Sequence, residues 1–153
     1  MNVKLDYITI DHQQDDVLPV LKTLLVDEFM LYVSMISVNF YPLPDTLADH
    51  INELDDLIDK ASGYIQQYGT KAARAADDFV QDMHIRKAPG RYPSTRAQII
   101  NLVSDHNAII RILRENINRI DEESKDVDAV DLMINLLQRH QKMMRSLRVY
   151  LEG

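Results

Sequence analysis

Apolar residues return at intervals of three and four along four separate stretches of this chain, the period of an amphipathic helix. The first stretch opens near Asp15 and sets Leu21, Leu25, Glu28, Tyr32, Met35 and Asn39 on one stripe, widened by Leu18, Leu24 and Leu31. Pro19 suits a first helical turn, where its missing N–H leaves no bond unmade. Pro42 and Pro44 predict an end near Phe40, because proline pushes the residue before it out of helical geometry. The second stretch starts at Asp45 or Thr46 and carries Leu47, Ile51, Leu54, Ile58, Ala61, Ile65 and Tyr68. That is a bundle seam of about three heptads, with Gly69 placed as its C-terminal stop. The third, introduced by Thr95 and Gln98 as a capping box, carries Ile99, Val103, His106, Ile110, Leu113, Ile117 and Ile120. The fourth carries Val130, Met133, Leu137, His140, Met144, Leu147 and Leu151.

The connections decide how these helices are arranged. The first and second helices are joined by the short YPLP corner, the third and fourth by the acidic corner DEESKDVDAVD. Between the pairs lies a long connection with a shorter helical pattern, Lys71 to about Ile85, and a basic turn, RKAPGRYPS. This predicts an all-α protein, a four-helix bundle with a long crossover carrying a short fifth helix. The long connection lets helices two and three run parallel, in the up-down-down-up order. Residues 1–14 read as an N-terminal arm, because NVKLDYITI alternates like a strand but one short strand has no partner. The bundle domain is then 15–153.

Composition narrows the function. With 153 residues, 46% hydrophobic and 27% charged, the chain can bury one sizeable core. It has no cysteine, which excludes disulfides and thiolate chemistry. The formal net charge of −7 and the single lysine of the arm argue against binding DNA, since displacing counterions from phosphates takes several basic residues. No apolar run approaches the roughly 20 residues of a membrane span, and no signal segment opens the chain, so the expected location is cytoplasmic.

Glu28, His106 and His140 are polar where each stripe calls for an apolar side chain. In the up-down-down-up order Glu28 and His140 fall near one level, and His106 within about a turn of them. Asp55, Asp56 and Asp59 on the second helix lie close to that level. Carboxylates and imidazoles converging in a bundle are the donor set of a non-haem iron site. Against this, the chain contains no Glu-x-x-His, the pair diiron bundles draw from each of two helices. A hydrogen-bonded polar core explains the three residues as well. His50 and Glu53, one turn apart, read as a solvated helix face, and His12 and His84 carry no signal.

LLVDEFMLY, ELDDLIDKASGYIQQYG, SDHNAIIRILRENI and DLMINLLQRHQKMMRSLRVYL resemble, in this order, the helices of the DNA-protection (Dps) branch of the ferritin-like superfamily. The resemblance covers most of Leu18 to Leu151. It implies a homo-oligomer, a hollow dodecameric cage that oxidises ferrous iron with peroxide and stores it, at a ferroxidase site shared between two subunits. It also implies which ligands that site would use. The family's aspartate matches Asp59, while the glutamate one turn later falls at Gly63. The first histidine falls at about Ile36, and the histidine-tryptophan pair after it becomes Asn39-Phe40. The loop bearing the second histidine is shortened to the YPLP corner, and His50 replaces that ligand only if the second helix shifts by a turn or more. Asp121, Asp126 and Asp131 fall where the family lines its three-fold iron pores, and His106 and His140 match family histidines outside the ferroxidase site. The expected function is iron sequestration and oxidative-stress protection with the catalytic site largely lost. The alternatives are an inert structural or interaction cage, and a metal site within one subunit at Glu28, His106 and His140.

Overall fold

The computed structural model of the chain describes residues 2–36, 45–67 and 94–152, with side chains from Val17 onward. Within them lie four helices: α1 (Asn2–Ile36), α2 (Asp45–Gln66), α3 (Thr95–Glu123) and α4 (Val127–Glu152). The YPLP corner, Tyr68, Gly69, the short helix expected over 71–85 and the basic turn lie outside the described residues. So do Asn39, His84 and the side chain of His12.

Local chemistry explains most of the helix boundaries. Ser94, in extended backbone geometry, accepts the Ala97 N–H on its hydroxyl at 3.1 Å and starts α3. The cap is therefore one residue ahead of the Thr95–Gln98 box expected from the sequence. At the other end of α3 the Ile120 carbonyl accepts the Ser124 N–H at 3.0 Å and the Ser124 hydroxyl at 2.8 Å. Lys125 then takes a left-handed conformation, φ 53°, and turns the chain. Asp126 starts α4 by accepting the Ala129 N–H at 3.0 Å, a carboxylate placed at the positive end of a helix dipole. The same oxygen accepts the Tyr64 hydroxyl at 2.7 Å, which ties the end of α2 to the α3–α4 corner.

The stretch expected to be an extended arm is helical from Asn2, and α1 is one helix of 35 residues. A lone strand leaves its backbone N–H and C=O groups unpaired, whereas a helix closes them on itself. Pro19 consequently sits inside α1 and not in its first turn. Its ring withholds the N–H that would bond to residue 15, and the Thr23 hydroxyl donates to the Pro19 carbonyl at 3.0 Å.

Contacts across the bundle give its order. Pro19 and Val20 share a cavity with Ile112 and Asn116, while Asp27 and Leu31 share one with Asp105 and Ile109, so α1 and α3 run antiparallel. Arg139 reaches Glu53 and Asp56, and Tyr64 reaches Asp126, so α2 and α4 also run antiparallel. Arg96 donates to the Leu151 carbonyl at 2.9 Å and His106 meets His140, which makes α3 and α4 antiparallel as well. Helices α1 and α4 are thus parallel and diagonal, as are α2 and α3. This is the up-down-down-up bundle with its core on the common axis.

Each core stripe is real but rotated by a residue at several points. In α2 the buried seam is Leu47, His50, Leu54, Leu57, Ala61 and Ile65, not the Ile51 and Ile58 of the sequence pattern, which are only partly buried. In α4 it takes Leu136 and Met143 in place of Leu137 and Met144. Adjacent apolar residues point 100° apart on a helix, and periodicity alone does not choose between them. The choice has an energetic consequence. Leu57→Ala, at a site with no solvent exposure, is expected to cost about 2–5 kcal/mol in a urea unfolding experiment, and Ile58→Ala about half as much or less.

Candidate functional site

One polar residue from each helix meets in the middle of the bundle: Glu28 from α1, His50 from α2, His106 from α3 and His140 from α4. All four are buried, Glu28, His106 and His140 completely and His50 to 5% exposure. Hydrophobic neighbours on each helix surround them, Leu24, Leu25 and Leu31 on α1, Leu102 and Leu113 on α3. Water is excluded, so each polar atom must be satisfied from within.

Three of the four are joined in a row. His140 Nε2 lies 2.5 Å from Glu28 Oε1, and on the other edge of the same ring His140 Nδ1 lies 2.9 Å from His106 Nδ1. The two imidazoles stand with ring centres 5.1 Å apart, tilted by 57°. With the carboxylate as acceptor, His140 donates its Nε2–H to Glu28. Since the two contacts use opposite edges of the His140 ring, the donors follow one another in file and do not converge on a point. Among the described residues no group of three or more His, Asp or Glu side chains is placed to hold a metal ion.

The row is imperfectly satisfied. Glu28 Oε2, His106 Nε2 and His50 Nδ1 are buried with no hydrogen-bond partner among the described residues. Burial, reinforced by His140 and His50 nearby, holds His106 well below the usual histidine range. Burial also lowers His50, against the opposing pull of Glu53 and Asp49. Both rings are therefore neutral at pH 7, and a charge placed on either would have to be desolvated.

The other sequence candidates lie elsewhere. Asp55, Asp56 and Asp59 face solvent from α2, not the bundle centre, because they occupy the helix face opposite Leu54, Leu57 and Ala61. Arg139 bonds Glu53 at 2.9 Å and Asp56 at 2.7 Å, and with Lys60 it holds Asp56 below the usual carboxylate range. Gly63, one turn after Asp59, is exposed, and a Cβ built there meets nothing within 4 Å. At the α3–α4 corner Asp121 and Asp131 are exposed, while Asp126 is half-buried and engaged as the cap of α4. His50, expected on a solvated face, is instead the fourth member of the polar layer. The spacing Leu47, His50, Leu54, Leu57 already contained it, but Ile51 masked the choice.

Asp27, next to Glu28 in sequence, faces the other way. It lines a cavity of about 150 Å³ between α1 and α3 with Leu31, Asp105, Ile109 and Ile112. Burial, together with the Glu28 and Asp105 carboxylates, pushes its carboxyl up to about 6.

Comparison with known proteins agrees with this architecture. Residues 13–153 match the family described as Ferritin: Ferritin-like domain. The chain is 26% identical over 150 residues to an uncharacterized low temperature-induced protein of Nostoc sp., covering 94% of this chain and 84% of that protein. A homologue in Anabaena variabilis matches with the same figures. Among solved structures it is similar to Dps from Thermosynechococcus elongatus, with a TM-score of 0.72 at 17% identity over 92% of each chain. A point mutant of Mycobacterium smegmatis Dps1 aligns with a TM-score of 0.55 at 18% identity, over 92% of this chain and 98% of that one.

Asp27 supplies a pH signature. A carboxyl raised in the folded state contributes stability that is present below its unfolded value of 3.8 and lost as the pH rises through about 6. Asp27→Asn removes that loss. It is expected to raise stability at pH 7.5 by about 1 kcal/mol or less, because the half-exposed group is partly screened by water. The gain should vanish by about pH 4 in urea titrations run across that range.

Proposed function

The chain belongs to the ferritin-like domain family, and on that premise we propose that it is a Dps-like cage protein that sequesters iron and protects against oxidative stress, with the family's inter-subunit ferroxidase chemistry largely lost. The observation that carries this reading is the pairing of an intact up-down-down-up bundle with an incomplete ligand set on α2. Asp59 is exposed on α2, where by family resemblance a second subunit would dock, while Gly63 offers no carboxylate one turn on. A single carboxylate is a weak ligand set for iron, which prefers several oxygen and imidazole donors. Iron is here a cargo. It would enter past exposed carboxylates such as Asp121 and Asp131, whose field concentrates cations where copies meet. No helix of the described residues is long and apolar enough to cross a membrane, and the cage would work in the cytoplasm. The relatives named for induction at low temperature fit a stress role. The second reading is an inert structural cage of the same shape.

Light scattering at micromolar concentration is expected to give one large homo-oligomer, a dodecamer by family resemblance. A monomer or dimer would remove the cage reading. Ferrous iron supplied with peroxide is expected to oxidise little faster than without protein, yet to remain with the particle through gel filtration. Iron that passes through unretained would leave only the inert cage.

Gly63→Glu tests the lost ligand directly. The position has room for the side chain, and the new carboxylate would lie one turn from Asp59. The oxidation rate is expected to rise on the order of tenfold. Gly63→Ala is the control, stabilising the helix by about 0.5–1 kcal/mol without adding a ligand.

A further inference from the structure

We propose that Glu28, His140 and His106 form a one-proton store inside the bundle, a row whose central hydrogen bond reverses direction when a proton is taken up. The two short contacts of the row are compatible with two proton counts. In the first, each ring carries one proton. His140 Nε2–H donates to Glu28 Oε1, and His106 Nδ1–H donates to the bare His140 Nδ1, which leaves His106 Nε2 as an unprotonated lone pair. In the second, a proton has bonded to His106 Nε2. The His106 Nδ1–H bond breaks, its proton forms the Nδ1–H bond of His140, and His140 Nδ1–H now donates to the bare His106 Nδ1. Every contact of the row survives, at 2.5 Å and 2.9 Å. The row's net charge passes from minus one to zero.

The location of the charge makes the exchange feasible. In both states His106 is neutral, as its sealed surroundings demand, and the added charge resides on His140 against the Glu28 carboxylate. A buried imidazolium beside a carboxylate is an ion pair, whereas one on His106 would be isolated in hydrocarbon. The port of the store is His106 Nε2, buried and without a hydrogen-bond partner among the described residues. His50 is the other imidazole of the layer. It acts electrostatically on His106, its own Nδ1 lacks a partner, and it is the one member of the layer with any exposure.

The other charged groups around the row are turned outward. On α1, Asp27 faces the cavity shared with Asp105 of α3. On α2, Asp49 and Glu53 flank His50. On α4, Arg139 is engaged by Glu53 and Asp56, and Lys142 acts on His50. Among the described residues, the hydrogen bonds of the row close on its own three members.

Nitrogen-15 NMR of the histidine-labelled full chain, followed from about pH 8 to about pH 5, reads each ring nitrogen separately. As the pH falls, His106 is expected to stay neutral while its proton moves from Nδ1 to Nε2, and His140 is expected to gain a second proton in the same step. In Glu28→Gln the ion pair cannot form, and both changes should shift at least about one pH unit lower, a tenfold weaker proton affinity. A His106 that becomes doubly protonated, or that keeps its Nδ1 proton across the whole range, would overturn the proposal. So would a Glu28→Gln protein that folds and titrates like the parent.

Discussion

A carboxylate sealed in a hydrocarbon core must find its donor inside the protein, and Glu28 finds it on the helix diagonally across the bundle. The contact between Glu28 and His140 spans the axis from α1 to α4, and His106 of α3 extends it. Burial of one partner without the others would strand a polar group at a cost of about 1–3 kcal/mol or more. The row therefore fixes the relative height of three helices. Leucine and isoleucine layers tolerate a slide of one turn far better, since apolar contacts have little direction. The polar layer thus acts as a register mark for a bundle whose other layers are interchangeable.

The helix ends serve that same alignment. Ser94 sets where α3 begins, and Lys125 and Asp126 set where the chain turns back, so the level of His106 opposite His140 follows from the two caps. Tyr64 carries the register to α2 through its bond to Asp126, and Arg139 repeats the constraint nearer the middle by gripping Glu53 and Asp56. These outer ties are solvent-exposed to differing degrees and individually weak. Their number and placement matter more than their strength, because they bring α2, which the buried row does not hold, into register with α4.

The surface carries the functional contrast. A site shared between subunits needs donors that a single chain leaves exposed, and Asp59 is such a residue, with Gly63 where a second donor belongs by resemblance. The interior polar layer is a different kind of feature, closed within one chain and arranged in file. The proposed iron handling and the proposed proton exchange would therefore belong to different places in this molecule. The first would depend on carboxylates outside the bundle, the second on imidazoles within it.

The fold was legible in the sequence because helical periodicity and the one long connection leave few ways to bury four apolar stripes. Glu28, His106 and His140 were legible too, as polar residues at the very positions where each stripe required an apolar one. What periodicity left open was orientation to within one residue, and this is why His50 was assigned to solvent and Ile51 to the seam. The same ambiguity exchanged Leu57 with Ile58 and Met143 with Met144. Only packing against three neighbours at once decides which of two adjacent side chains points inward. The arm was misread because excluding an unpaired strand does not exclude a helix, which closes its backbone hydrogen bonds on itself and here continues into the stripe that starts near Asp15. The carboxylates of α2 show the same limit. Their level along the bundle followed from helix length and topology, but their facing, toward water and away from the imidazoles, was set by where Leu54, Leu57 and Ala61 had to go.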